Sequence, residues 1–264
     1  MIKLIFKIGY MVKSFRTINL ELAEKIKLIM TDVDGTLLAA GNTLSQEVGE
    51  ALYLLQQTGI TIGLVSGRTL SLLETMSKEF NLTGPIIAEN GAIAKLSPGS
   101  EMMELGFSRQ PAIDALKKLK DLYPGAIRER EDNAERFIDM VIWADGVSLE
   151  KIRSQIKPTQ LLDSGYILHL MQEGINKGET LVKVLDEMKK YSRDEVMVFG
   201  DSVTDLSLFE LFPNNVLIVN PRLPEGQAEI MEKKAAYVSE KQYGEGFTET
   251  ALHIVNLLNR RAAA

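Results

Sequence analysis

Short, uninterrupted apolar runs alternate along this chain with stretches in which apolar residues recur every three to four positions. Residues 26–30, 60–65 and 85–88 are runs of the first kind, and continuous apolar strands of this length signal a sheet buried on both faces. Behind the first lies a helical spacing, Val48, Ala51, Leu52 and Leu55, with Ser45 placed to cap it and Gly59 to stop it. Behind the second, Leu70, Leu73, Met76 and Phe80 repeat the pattern. Between about 93 and 172 the rhythm changes. A helix carrying Ile113, Leu116 and Leu119, strand-like pieces at 126–130 and 137–142, a helix near 148–156 and a strand at 166–171 predict a small α+β module with one-sided antiparallel strands. From Lys177 the first rhythm resumes, with a helix through Leu181, Leu185 and Met188, strands at 196–199, 216–219 and 236–238, and helices at 225–233 and 247–259. The expected fold class is α/β: a Rossmann-like, three-layer parallel sheet core with an inserted α+β domain. The core is expected from residues 26–92 and 173–264, the insertion from 93–172. Residues 1–25 are expected to be a short extension, too interrupted by Lys3, Lys7, Lys13 and Arg16 for a signal peptide or membrane span, with Met11 as an alternative first residue.

With 45% hydrophobic and 25% charged residues over 264 positions, the composition is that of a globular protein. The net charge of -6 disfavours a general nucleic-acid or membrane surface, so an anionic ligand needs a local basic pocket. There is no cysteine, which excludes disulfides, thiolate metal sites and thiol nucleophiles, and makes a reducing cytoplasm the expected location.

Candidate chemistry collects at strand ends, where the functional loops of an open parallel sheet lie. Asp32 and Asp34 sit two apart after the first strand, so both carboxylates can converge on one ligand, while Gly35 permits a sharp turn and Thr36 offers a hydroxyl to cap the turn or hold the second carboxylate. Ser66 and Gly67 follow the second strand, Lys177 follows the insertion, and Asp201 and Asp205 follow a late strand. Carboxylates of this kind suit a hard cation, magnesium first, with calcium and manganese as alternatives. A hydroxyl, backbone amides and an ammonium suit phosphate oxygens, and a carboxylate beside them can attack phosphorus while a second serves as acid and base. Singly, each signal has a plainer reading: Ser66 a helix cap, Lys177 and Arg68 solvated cations, Asp201 and Asp205 caps of the next helix, Asn90-Gly91 a turn, His169 and His253 structural side chains. Their co-occurrence, in order, carries the argument.

These residues resemble the haloacid dehalogenase superfamily of phosphotransferases from about Ile26 onward. Asp32-Val33-Asp34-Gly35-Thr36 looks like its first motif, Ser66 its second, Lys177 its third, and Gly200-Asp201 with Asp205 its fourth; the insertion resembles a C2B-type cap. The resemblance implies Asp32 as nucleophile forming an aspartyl-phosphate, Asp34 as general acid and base, and Ser66, Gly67 and Lys177 as phosphate ligands. It implies Mg2+ held by Asp32, the main-chain carbonyl of Asp34, and Asp201, with Asp205 close by or through water. Thr204 stands where the fourth motif often carries Asn, and a hydroxyl replaces some of that hydrogen bonding. Gly174 to Gly178, Gly200 to Ser202 and Tyr243 to Glu245 look most like archaeal-type phosphoglycolate phosphatases, with sucrose-phosphate and mannosyl-phosphoglycerate phosphatases similar at the core. The expected partner is a small phosphorylated metabolite, chosen by cap residues such as Arg128, Arg130, Arg136 and His169. A phosphosugar mutase of the phosphomannomutase type and a binding protein without turnover are the alternatives.

Overall fold

The computed structural model describes residues 12–39, 44–165 and 167–262. In chain order the elements are β1 (Lys13–Ser14), α1 (Leu20–Lys25), β2 (Leu28–Thr31), α2 (Gln46–Gln57), β3 (Thr61–Val65), α3 (Leu70–Glu79), β4 (Ile86–Ala88) and β5 (Ile93–Lys95). Then come α4 (Gln110–Leu122), β6 (Ile127–Glu129), β7 (Met140–Ala144), α5 (Leu149–Gln155), β8 (Gln160–Asp163) and β9 (Leu168–Met171). The chain closes with α6 (Lys177–Met188), β10 (Val196–Gly200), α7 (Leu206–Leu211), β11 (Asn214–Val219), α8 (Glu225–Glu232), β12 (Tyr237–Gln242) and α9 (Tyr243–Ala262). The larger sheet runs β1-β12-β11-β10-β2-β3-β4-β5, parallel throughout except for β5. From β2 the chain moves outward through β3 and β4; later it returns at β10, beside β2, and moves outward the other way. The boundary between β2 and β10 is therefore a switch point, where diverging connections leave a crevice at the strand ends.

Alternation along the strands builds two apolar layers. Ile29, Ile62, Leu64, Met197 and Phe199 face one side, against Val48, Leu52 and Leu55 of α2 and Phe247, Ala251 and Ile254 of α9. Leu28, Met30, Val196 and Val198 face the other, against Leu181, Val184 and Leu185 of α6 and Leu208 and Phe209 of α7. Each large side chain so buried contributes about 1.5–3 kcal/mol. A one-residue slip would exchange the two faces, so the layers fix strand register and hence where each loop begins. The inserted module has its own antiparallel sheet, β6-β7-β9-β8, and its own core of Leu116 and Leu119 from α4, Ile152 from α5, and Ile127, Ile142, Leu168 and Leu170.

Three expectations need correction. Residues 13–25 are no appendage: β1 pairs in parallel with β12, Arg16 Nε lies 2.7 Å from Glu240 Oε1, and Phe15, Ile18 and Ala23 are buried in the core. The expectation for residues 1–11 lies outside the described residues, as does Tyr166 at the start of one expected strand. The chain does not leave the core at 93, because β5 pairs antiparallel with β4 and the Met103 amide still donates to the Ala94 carbonyl at 2.8 Å. Within the module the strand expected at 137–142 lies at Met140–Ala144, since residues 131–134 form a short 3-10 turn and 137–139 are drawn to the core. Among the described residues no helix is long and apolar enough to cross a membrane.

Candidate active site

The Asp32 amide donates to the Phe199 carbonyl at 2.9 Å, so β2 is still paired with β10 where its first carboxylate emerges, almost fully buried. Gly35 then turns at φ 92°, and a Cβ placed there would stand 2.2 Å from Asp201 Oδ2. Glycine serves here for space as well as conformation. Thr36 Oγ1 donates to Asp201 Oδ1 at 3.3 Å, so its hydroxyl holds the late-strand carboxylate and not that of Asp34. Asn176 caps α6 by accepting the Glu179 amide, which aims the first helical residue, Lys177, into the crevice. Lys177 is 1% exposed, and its Nζ donates at 2.7 Å to both Asp32 Oδ1 and Asp205 Oδ1. The solvated-cation reading of this lysine is thereby excluded.

Asp205 Oδ2 accepts the amides of Asp201 and Ser202 at 3.0 and 3.3 Å, folding the fourth loop into a tight turn. Thr204 Oγ1 lies 2.9 Å from Ser202 Oγ and 3.5 Å from Lys177 Nζ, so the hydroxyl sits within the same network. Asp32, Asp201 and Asp205 each offer an oxygen, all within 4.8 Å of one another. Burial, together with the charges of Asp205 and Asp34, pushes Asp32 up to about 7 against the pull of Lys177. Burial and the charges of Asp32 and Asp205 raise Asp201 well above the ordinary carboxylate range. Burial alone would lower Lys177, but the Asp205 and Asp32 carboxylates outweigh it and raise it. Three buried carboxylates facing one ammonium leave excess negative charge, and hard oxygen donors in that state fit a divalent cation. Asp32 and Asp201 have the donor chemistry to hold one. Both Asp205 oxygens are engaged by nitrogen donors, so its carboxylate acts first as the organiser of Lys177 and the loop.

Asp34 lies outside that cluster. Its oxygens accept from Arg68 Nε and Nη2 at 2.8 and 2.6 Å, a bidentate pair that turns the side chain away from Asp201. Ser66 and Gly67 are brought to the same crevice, with Asn90 against them: a Cβ on Gly67 would meet Asn90 Oδ1 at 2.9 Å. Asn90 and Glu89 adopt φ values of 58° and 50°, and Asn90 Nδ2 is a buried donor without a partner among the described residues. Arg68, Asn90 and Asn220, whose Nδ2 donates to Asp201 Oδ2 at 2.5 Å, were not assigned a role by the sequence. The available signal was position, because each stands at the carboxyl end of a core strand.

The inserted module closes the crevice into a cavity of about 470 Å³. Arg130, Arg136 and His169 line it with Asp32, Asp34, Ser66, Gly67, Lys177 and Asp201. Arg128 does not; it pairs with Asp145 at 2.9 Å and lies over the Trp143 ring. His253 is structural, 2.9 Å from the Ile18 carbonyl. The junction is made by Glu89, whose carboxylate accepts the amides of Phe137, Ile138 and Asp139 at 2.8, 2.8 and 3.0 Å. Burial and the Asp139 charge raise the Glu89 carboxyl, opposed by those amides, which favour its ionised form. Arg136 Nη1 donates to the Gly67 carbonyl at 3.1 Å, linking the module to the second loop.

A family model described as haloacid dehalogenase-like hydrolase matches residues 29–134 and 124–239. The chain belongs to the haloacid dehalogenase-like hydrolases. This haloacid dehalogenase-like hydrolase is 30% identical over 225 residues to a phosphoglycolate phosphatase of Methanospirillum hungatei, covering 84% of this chain and 93% of that protein. It is 31% identical over 230 residues to one of Methanoculleus marisnigri, covering 85% and 94%. Among solved structures, a Thermoplasma acidophilum protein superposes with a TM-score of 0.75 at 24% identity, over 88% of this chain and 99% of that one, which establishes the shared fold.

Proposed function

We propose that this phosphatase hydrolyses a phosphate monoester of a small organic acid, phosphoglycolate first, through an aspartyl-phosphate on Asp32. The observation that carries the reading is one cavity holding a buried Asp32–Lys177 pair, a second carboxylate turned aside at Asp34, and the cluster of Ser66, Gly67 and Asn90. The phosphoglycolate phosphatases matched over most of their length support the choice of substrate. In the proposed order, an Asp32 oxygen forms the bond to phosphorus as the ester oxygen leaves and takes a proton from Asp34. Water then attacks the acyl-phosphate, giving its proton to Asp34 and regenerating the Asp32 carboxylate. Ser66, Asn90 and Lys177 offer donors to the phosphoryl oxygens throughout. A magnesium ion held by Asp32 and Asp201, with the Asp34 carbonyl, would offset the charge of carboxylate and phosphate.

Phosphate release by the purified protein with Mg2+ tests this. Asp32→Asn is expected to abolish turnover. Asp34→Asn is expected to slow an alkyl ester by about 10²–10⁴, the usual share of general acid–base catalysis, and to slow p-nitrophenyl phosphate much less because its leaving group needs no proton. Full activity in Asp32→Asn, or equal losses on both esters in Asp34→Asn, would sink the assignment.

A further inference from the structure

The wall of the cavity opposite the reacting carboxylates is built by the inserted module. Leu168 and Leu170 of β9 point into the module's own apolar core, so strand alternation turns His169, between them, to the other face and the cavity. The residue is 2% exposed. Its Nδ1 lies 2.6 Å from Asp139 Oδ2, and because an ionised carboxylate only accepts, Nδ1 is the donor. Asp139 is fixed in turn: its other oxygen accepts Arg136 Nη1 at 2.7 Å and its amide donates to Glu89. The ring is thus held at one nitrogen, while Nε2 has no hydrogen-bond partner among the described residues. That second nitrogen faces the cavity and is available to whatever occupies it.

We infer that His169, with Arg130 beside it, binds a carboxylate on the carbon skeleton of the substrate, so that the site selects short phosphorylated hydroxy acids over neutral phosphate esters. Among the described residues the module lines the cavity with the basic side chains of Arg130, Arg136 and His169 against the acidic one of Asp132, which favours an anion there. Arg130 and Arg136 are balanced by Asp132 and Asp139, with Arg130 Nε 3.1 Å from Asp132 Oδ1 and Arg136 paired to both. A ring that carries both protons is held at Nδ1 by Asp139 and turns its Nε2–H toward the cavity. In that state Nε2 donates to the carboxylate, and the Arg130 guanidinium, with donors left over from Asp132, reaches it from the more open side. One cavity of about 470 Å³ is lined both by the phosphate loop residues Ser66 and Gly67 and by this wall.

The assignment rests on the phosphatase reading above, and the test separates the two. Values of kcat/KM are measured for 2-phosphoglycolate, 2-hydroxyethyl phosphate and ethyl phosphate with the full chain and Mg2+. In His169→Asn the side-chain amide still donates to Asp139 but nothing stands at the Nε2 position. The preference for phosphoglycolate over ethyl phosphate is expected to fall about tenfold to a hundredfold, the range of one charge-assisted hydrogen bond, through KM and not kcat. The ratio between the two neutral esters is expected to stay put, and His169→Gln, whose amide reaches toward the lost position, is expected to restore part of the preference. An equal fall on all three esters, or a fall confined to the hydroxyl-bearing one, overturns the inference. Should His169→Asn fail to fold, Arg130→Gln carries the same comparison, and an unchanged preference there overturns it. A wild-type protein that hydrolyses none of the esters defeats the proposed function itself. One that hydrolyses all three without preferring the carboxylate defeats only the role given to this wall.

Discussion

Asp139 shows how a single residue joins the module's interior to the cavity wall. Burial by itself would raise its pKa, but the His169 hydrogen bond and charge, and then Arg136, outweigh burial and hold it below the usual carboxylate range. A carboxyl depressed in the folded state adds stability that is complete above its unfolded pKa, near 4, and disappears as pH falls through the lower folded value. Asp139→Asn is therefore expected to lower the melting temperature at neutral pH, by the equivalent of about 3–5 kcal/mol for removing one partner of a buried pair. The gap to wild type is expected to narrow on acidification below about pH 4. Thermal melts from pH 7 to 3 would show it, and a gap constant across that range would contradict the assignment. At this scale the sequence singled out Asp32, Asp34, Ser66, Asp201 and Asp205 because each follows a strong strand signal, and Lys177 because it opens the helix after the insertion. It did not show Glu89 or the contact of Arg136 with the Gly67 carbonyl, which act across some fifty to seventy positions of chain on backbone atoms that carry no residue identity.

Among the elements, the connection from β4 into the module is the sensitive one. Glu89 turns in the left-handed region, is fully buried, and spends both oxygens on three amides of residues 137–139. Glu89→Gln replaces one acceptor by a donor aimed at N–H groups, which is expected to cost about 1–3 kcal/mol locally. Hydrogen exchange at 137–139 is expected to accelerate while β2, β3 and β10 remain protected; protection unchanged at the junction would show that the carboxylate does not hold it. The long core strands and α2, α3, α6 and α9 were legible because their apolar periods are sustained. The strands β5 and β8 and helix α7 were not, being three to six residues long with no room for a period to declare itself. Their existence is decided by neighbours: Ile86 to Ala88 already stand in the sheet for β5 to pair with.

For the whole molecule, three carboxylates on one ammonium mean that the fold is assembled against repulsion at its own centre. A ligand that binds only the folded chain stabilises it by mass action, about 2.7 kcal/mol at a hundred times its dissociation constant. Saturating Mg2+ is thus expected to raise the melting temperature by about 5–10 °C for a chain of this size. Asp201→Asn is expected to melt higher than wild type without the ion and to lose most of the shift with it. No shift in wild type, or an undiminished one in Asp201→Asn, would remove Asp201 from the site.

The two-residue strand β1 has a consequence at this same scale. It covers the start of β12, Tyr237 and Val238, where the sheet would otherwise end in unpaired N–H and C=O groups on its outer side. Those groups are a template for any extended segment, including that of a second unfolded copy. A chain shorn of residues 12–25 would lose Phe15, Ile18 and Ala23 from its core and bare those groups together, so its failure would take the form of intermolecular strand addition and precipitation before any loss of the crevice where the carboxylates meet.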